Sequence, residues 1–232
     1  SSPAPSVETI LHAILPFKYV DHTHADAVVT ITNTLEGKNR IREIYGDRVV
    51  IIPYVMPGFD LAKDVARIFS KDATEKTEGM ILMNHGIFSF GGDAKESYDR
   101  MISLVNEAEN YLLSQNAWDI EKTSSNVVTK KISKQVSQLR HQVSLIAGYP
   151  VLMNLTNSHQ GLSFSNREDL KKIATRGPLT PDHVIRTKRI PLIGRQVDKY
   201  KEGYISYFNN NEINAKERKT MLDPAPRVIL DK

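Results

Sequence analysis

Two histidines separated by one residue, His22 and His24, are the first residues in the sequence whose types and spacing suggest chemistry. The apolar residues before them predict a β-strand over residues 19–24, and alternate side chains of a strand point to the same face. Two imidazoles held side by side form half of a site for a first-row transition metal, most simply Zn²⁺. The alternative interpretation is a chance pair of strand histidines.

Two further side chains can complete such a site. A catalytic zinc usually has three protein ligands and one open position. His85 is a candidate third ligand because it ends an apolar strand and is followed by Gly86, where the backbone is free to turn away. Glu8 lies in the first turn of a helix predicted over residues 7–15 with Ser6 as its N-cap, and its carboxylate can act as ligand or general base. Taken alone, His85 is equally a hydrogen-bonded turn histidine, and Glu8 a charge that complements the helix dipole.

The remaining histidines have no comparable context. His12 follows Glu8 by four residues and is interpreted as a packing histidine rather than a ligand. The histidines of the second half are interpreted as structural or exposed, and they are His141, His159 and His183.

Composition narrows the classes of function. The chain has 232 residues, 40% of them hydrophobic, and a net charge of +4. Basic and acidic residues are interspersed, so nucleic-acid binding is not expected, whereas a small anionic substrate is compatible with the charge. Cysteine is absent, so a metal would be held by His, Asp, Glu or water. No apolar run reaches about 18 residues and no signal-peptide pattern opens the chain, which predicts a cytoplasmic protein without membrane contact.

Short strands alternate with amphipathic helices along the chain, which predicts the α/β class. In the first half, the predicted strands cover residues 19–24, 49–52, 80–84 and 87–90. The longest helix of this half is predicted to begin after Asp93, which resembles a capping box with Glu96. Its predicted apolar stripe consists of Tyr98, Met101, Ile102, Val105, Ala108 and Leu112.

The second half continues the same pattern with different details. Residues 132–146 have helical periodicity, and residues 151–155 form an apolar run that predicts a strand. Ser165 and Glu168 resemble a capping box before a helix over residues 169–174. Thr180 and Pro181 are a good N-cap and first residue for a further helix.

The loss of periodicity between the halves predicts two domains. We expect a metal-binding domain over residues 1–116, a linker over 117–131 and a smaller α/β region over 132–232. A weak likeness of residues 180–193 to 6–20 leads to the hypothesis that the second region is a degenerate repeat of the first. The abrupt ends of the sequence lead us to expect a fragment of a longer polypeptide.

Three motifs occur in the order and approximate spacing of the class II aldolase/adducin family. They are Pro5-Ser6-Val7-Glu8-Thr9, Asp21-His22-Thr23-His24 and Asn84-His85-Gly86-Ile87-Phe88. The similarity extends from residue 3 to about residue 113. The stretches 176–188 and 223–227 resemble the bifunctional branch, in which a rhamnulose-1-phosphate-aldolase-like region precedes a short-chain dehydrogenase.

The resemblance implies a three-layer α/β/α fold around a largely antiparallel central sheet. It implies a Zn²⁺ or other divalent transition metal site in which Glu8 is the catalytic acid/base residue. It also implies that His22, His24 and His85 are the metal ligands. Ser6 and Asn84 would then bind the substrate.

The implied activity is that of a lyase. The substrate would be a small phosphorylated sugar, a ketose 1-phosphate such as rhamnulose 1-phosphate, cleaved to dihydroxyacetone phosphate and a hydroxyaldehyde. Family members are commonly tetramers, so a homo-oligomer is expected. Related epimerases carry Asp at the position of Glu8, which favours an aldolase over the alternative of an epimerase or decarboxylase. The second alternative is a non-catalytic, adducin-like module, against which the intact Glu and three histidines argue.

The sequence also departs from the family pattern. The family usually has Pro-Ser-Ser-Glu, but Val7 replaces the second Ser and removes one hydroxyl expected near the substrate phosphate. The upstream Gly- and Asn-rich phosphate loop is absent, which predicts an N-terminally truncated domain. No Gly-x-Gly-x-x-Gly motif occurs, so this chain is not the dehydrogenase half.

Overall fold

The computed structural model describes residues 6, 8–117, 119, 130–156 and 158–231. By the density of their contacts, these residues form two compact units. The first contains the described residues up to 117 together with residues 179–181, and the second contains the others. Most of the predicted linker lies outside the described residues, so the predicted domain boundaries stay a prediction.

The first unit alternates helices with short strands, as the hydrophobic periodicity predicts. Along the chain its elements are α1 (Thr9–Ile14), β1 (Tyr19–Thr23), α2 (Asp26–Thr32), α3 (Gly37–Tyr45), β2 (Val49–Ile52), α4 (Phe59–Asp72), β3 (Gly79–Leu82), β4 (Gly86–Gly91) and α5 (Ala94–Ser114). Each predicted strand of this half lies within two residues of an observed one.

The four strands of this unit form one mixed sheet in the order β1-β4-β3-β2. β4 is antiparallel to both of its neighbours, whereas β2 runs parallel to β3. His22 lies opposite Phe88 in the β1–β4 pair. Because antiparallel strands run in opposite directions, the end of β1 lies beside the start of β4. The pairing therefore brings His22 and His24 to the edge of the sheet where His85 enters β4.

Alternation along the strands divides the core into two layers. Met80 and Phe88 belong to the layer covered by α1 and α4, whereas Ile81 and Ile87 belong to the layer covered by α2, α3 and α5. All four side chains are fully buried. A sheet that is apolar on both faces must be covered on both, and helices cover it here. The predicted α/β class and α/β/α layering are confirmed.

The start of α5 confirms the predicted capping box. The Asp93 carboxylate accepts a hydrogen bond from the backbone N–H of Glu96 at 2.8 Å. The Glu96 carboxylate accepts from the N–H of Gly92 at 2.6 Å, one residue earlier than the usual reciprocal bond. These bonds satisfy backbone donors at the start of the helix that packs along β4 and β1.

The predicted apolar stripe of α5 is only partly correct. Met101, Ala108 and Leu112 are buried, but Tyr98 is 61% exposed. Ser97 is fully buried in its place. The backbone of α5 approaches the sheet closely here, because a Cβ on Gly91 would lie 2.7 Å from the Ser97 nitrogen. The close approach of α5 to the sheet therefore places Ser97 against the sheet and leaves the more hydrophobic Tyr98 exposed.

The second half is mainly helical. Its elements are α6 (Lys130–Ala147), α7 (His159–Ser165), α8 (Leu170–Ala174), α9 (Pro181–Thr187), β5 (Leu192–Ile193), α10 (Val197–Glu212) and β6 (Ile229–Leu230). β5 and β6 pair in parallel, and side chains of α6, α10 and the two strands form one core. The predicted helix start at Thr180-Pro181 is confirmed by α9.

Two predictions for the second half are wrong. Residues 151–155 form no strand, because none of the described strands pairs with this apolar run and Leu152 is fully exposed. Ser165 does not open a capping box but ends α7. The cap of α7 is instead Ser158, whose hydroxyl accepts from the N–H of Gly161 at 3.1 Å.

The hypothesis of a degenerate repeat stays a prediction. α9 precedes β5 as α1 precedes β1, but the pairing of the strands differs. β5 pairs directly with β6, whereas β4 separates β1 from β3. None of the helices in the described part of the chain is long and apolar enough to cross a membrane.

We expect the substitution Asp93→Ala to lower the free energy of unfolding by about 1 kcal/mol, because it removes the N-cap acceptor of α5. Urea unfolding followed by circular dichroism measures this change. Asp99→Ala is the matched control, since Asp99 is on the surface of the same helix and its ion pair with Lys95 is exposed. Equal destabilisation by both substitutions would contradict the assigned cap.

Candidate metal centre

Four side chains from separate segments meet at one edge of the sheet. Glu8 precedes α1, His22 is in β1, His24 follows β1, and His85 lies between β3 and β4. Their potential ligand atoms all lie within 4.8 Å of one another. The structure therefore brings together the four residues that the sequence proposed for a metal site.

The distances within this cluster suit a small cation. Oε1 of Glu8 lies 2.9 Å from Nε2 of His85, 3.2 Å from Nε2 of His22 and 3.7 Å from Nε2 of His24. Ligand atoms around a tetrahedral zinc ion with bonds of about 2.0–2.1 Å are about 3.3 Å apart. The observed separations bracket that value, so the donor set fits a first-row transition ion.

The orientation of His22 directs its Nε2 into the cluster. Its Nδ1–H donates to the carbonyl oxygen of Ile87 at 2.9 Å, which turns Nε2 toward Glu8 and His24. That Nε2 lies 3.0 Å from Nε2 of His24. Two ring nitrogens this close need a proton or a cation between them, because facing lone pairs repel. The ring of His22 is also stacked on Phe88, with centroids 4.0 Å apart.

Glu8 differs from the sequence prediction in its backbone position. α1 begins at Thr9, so Glu8 is the N-cap residue rather than part of the first turn. The helix therefore begins later than predicted, but the Ser6 hydroxyl accepts from the N–H of Glu8 at 3.2 Å, which is the bond that an N-cap side chain makes. The hydroxyl of Ser6 thus fixes the backbone of Glu8 just outside the helix, where its carboxylate reaches the histidines.

The electrostatics of the cluster keep Glu8 ionised. Hydrogen bonds with the imidazoles of His22, His24 and His85 hold the pKa of the Glu8 carboxyl far below its usual range. Burial acts in the opposite direction but is the weaker effect. The cluster therefore combines one negative charge with three imidazole donors, as a divalent cation requires.

Gly86 is required for space rather than for backbone freedom. A Cβ at this position would lie 2.6 Å from the carbonyl oxygen of Thr23 and 3.1 Å from Cε1 of His22. Its φ is not in the left-handed region, which in this turn is occupied by Asn84 at 58°. The expectation that Gly86 supplies the turn is therefore wrong, because the chain turns two residues earlier.

The two predicted substrate residues have different surroundings. Ser6 is exposed and bonded to Glu8 as described. Asn84 is exposed too, but its side-chain amide donates to the carbonyl oxygen of Thr32 at 3.3 Å and to Oδ1 of Asn33 at 2.6 Å. Their role in substrate binding stays a prediction, and Val7 lies outside the described residues.

Two contributors to the site were missed by sequence reasoning. Ile87 fixes the tautomer of His22 through its carbonyl, and Phe88 supports the same ring. The only signal for either was strand pairing, since Phe88 lies opposite His22 in the register. The ring centroid of His12 lies 5.4 Å from that of Phe88, and His12 is exposed and is not in the cluster.

Comparison with known protein families gives two matches that together span most of the chain. Residues 1–112 match the family model described as class II aldolase and adducin N-terminal domain. Residues 130–232 match the model described as aldolase class II, second domain. The cluster of Glu8 and the three histidines lies within the first match.

The chain is similar to a curated protein of Bacillus subtilis (strain 168) named "uncharacterized oxidoreductase YuxG". The two are 30% identical over 98% of this chain, which spans 36% of the length of that relative. Among solved structures, the N-terminal class II aldolase domain of a conserved protein from Thermoplasma acidophilum is 48% identical, with a TM-score of 0.44 over 48% of this chain and 50% of that one. A sugar-phosphate aldolase from Thermotoga maritima is 20% identical, with a TM-score of 0.40 over 50% of this chain and 57% of that one.

We expect Gly86→Ala to lower the free energy of unfolding by about 1–3 kcal/mol, because the new methyl group must displace backbone and two histidine rings. Thermal unfolding compared with that of Gly92→Ala tests this. A Cβ at the exposed Gly92 meets nothing closer than the Glu96 carboxylate at 3.5 Å. Identical midpoints for the two variants would show that the approach at Gly86 is not tight.

Proposed function

Because the chain carries domains of the class II aldolase/adducin family, we propose that it is a zinc-dependent aldolase acting on a ketose 1-phosphate. The observation that carries this proposal is the convergence of Glu8 on the Nε2 atoms of three histidines. A protein of this family that lacked catalytic activity would have no need for such a costly group of partly buried polar side chains.

In this proposal, His22, His24 and His85 hold the metal. Their neutral rings supply three nitrogen ligands and leave a position for substrate, as in other catalytic zinc sites. A zinc ion held there would supply Lewis-acid stabilisation of the negative charge that develops on the substrate oxygens. The contact between His22 and Ile87 keeps the ligand nitrogen of His22 directed inward.

Glu8 moves the proton in this proposal. Cleavage breaks a carbon–carbon bond, turns the hydroxyl of the departing fragment into an aldehyde, and leaves the electron pair of that bond on the carbon beside the ketose carbonyl. The Glu8 carboxylate takes up the proton of that hydroxyl and delivers it to this carbon, and in the reverse direction Glu8 removes it. The ionised state of Glu8 suits this role, because only a carboxylate can accept the proton.

The proposal also covers the substrate and a longer polypeptide of which this chain is a part. We propose rhamnulose 1-phosphate as the type of substrate, with dihydroxyacetone phosphate and a hydroxyaldehyde as products. The name of the Bacillus relative, and its length relative to this chain, support a fusion to a dehydrogenase. We further propose a homo-oligomer, as is usual in this family.

We expect the chelator-free protein to bind about one zinc ion per chain and His24→Ala to lose it, since the remaining ligands no longer surround the ion. Metal analysis after dialysis against zinc measures both. His141→Ala is the matched control, because His141 is exposed on α6 and lies outside the cluster. No zinc in the wild-type protein would favour the non-catalytic, adducin-like alternative.

We expect Glu8→Gln to lower the rate of aldol cleavage by about 10²–10⁴-fold, because the amide cannot accept the proton. Product analysis on a panel of phosphorylated and free sugars measures the rate and also detects epimerase or decarboxylase activity. Glu109→Gln, an exposed carboxylate on α5, should retain full activity. A fully active Glu8→Gln variant would exclude Glu8 as the acid/base residue.

A further inference from the structure

Asn84 occupies an unusual backbone conformation next to one of the proposed ligands. Its φ of 58° lies in the left-handed region, and His85 follows directly. We propose that Asn84 is a positioning residue that aims the imidazole of His85 by tying its turn to the C-terminal end of α2. The inference rests on the proposed function only in taking His85 as a metal ligand.

The ring of His85 lacks the support that His22 has. His85 is buried, and its Nδ1 has no hydrogen-bond partner among the described residues. A metal-binding histidine almost always donates from its second nitrogen to an oxygen that fixes the ring. Since no such oxygen lies at Nδ1 among the described residues, the ring is oriented by the contact of its Nε2 with Glu8 and by the backbone that carries it.

Asn84 holds that backbone by three contacts with α2. Its N–H donates to the hydroxyl of Thr32 at 3.2 Å, and its side-chain amide donates to the Thr32 carbonyl and to Oδ1 of Asn33. The Thr32 hydroxyl in turn donates to the carbonyl oxygen of Val29 at 3.2 Å. Because Thr32 is only 2% exposed, this anchor belongs to the rigid interior.

The anchor connects the two parts of the metal site. α2 begins at Asp26, two residues after His24, and its last residue is Thr32. One helix therefore follows the His22–His24 pair at its start and holds the turn of His85 at its end. The spacing of the three imidazoles is then maintained by α2 as well as by the pairing of β1 with β4.

Asparagine is suited to both demands of this position. It tolerates the left-handed conformation better than other residues with a side chain, apart from glycine. Its amide group also donates two hydrogen bonds, which glycine cannot do. Replacing Asn84 by Gly therefore removes the two side-chain hydrogen bonds of the anchor and keeps the turn and the backbone bond to Thr32.

The experiment compares zinc affinity, by competition with a chromophoric chelator, in the wild type, Asn84→Gly and Asn116→Gly. Asn116 is a matched control, since it is also an exposed asparagine in the left-handed region, at 52°, beyond the end of α5. We expect Asn84→Gly to weaken zinc binding about 10- to 100-fold. Asn116→Gly should leave the affinity unchanged, and both variants should have similar melting temperatures.

A second measurement follows the Cε1–H NMR signal of His85 in the metal-free protein, assigned by its loss in His85→Asn. The signal should shift in Asn84→Gly and in Thr32→Val, and it should return to the wild-type position in Thr32→Ser, which keeps the hydroxyl. Wild-type affinity and an unshifted signal in Asn84→Gly would overturn the proposal. A shifted signal in a protein that binds no zinc would support the positioning role and contradict the proposed function.

Discussion

The pairing of β1 with β4 is the interaction on which the site depends. Its register sets His22 opposite Phe88 and brings His22 in β1 and His24 just after it beside His85, which precedes β4. A shift of one residue would turn the histidine pair to the other face of the sheet. The pair can approach this closely because Gly86 has no side chain where the strands meet. The register of β1 and β4 and the absent side chain of Gly86 thus bring the histidines together, and neither depends on charge.

Charge then decides what the assembled cluster can bind. Three neutral imidazoles can bind a cation through their nitrogen lone pairs, but they do not neutralise its charge. Glu8 contributes the negative charge, and its backbone is held at the start of α1 by Ser6. The group is only partly buried, so a substrate can approach it while the sheet keeps the ligands in place. The same arrangement therefore serves both to bind an ion and to leave it accessible.

Local periodicity predicted most of the helices and strands of the first half, whereas the residues of the cluster were proposed from their types and the spacing of their motifs. The strand of His22 and His24 and the helix after Asp93 follow from alternation and capping, which depend on neighbours in sequence. The role of Gly86 could not be predicted, because it depends on atoms of Thr23 and His22, which are distant in the chain. For the same reason residues 151–155 were misread, since an apolar run becomes a strand only where a second strand pairs with it.

β1 lies at the edge of the sheet and has only β4 as a neighbour among the described strands. Backbone amides on its outer side consequently have no partner in the sheet, and such edges open locally at a low free-energy cost. Anything that binds the histidines of β1 stabilises the closed form alone and suppresses this opening by mass action. Amide hydrogen exchange along β1 should therefore be slower when a ligand occupies the site than when the site is empty.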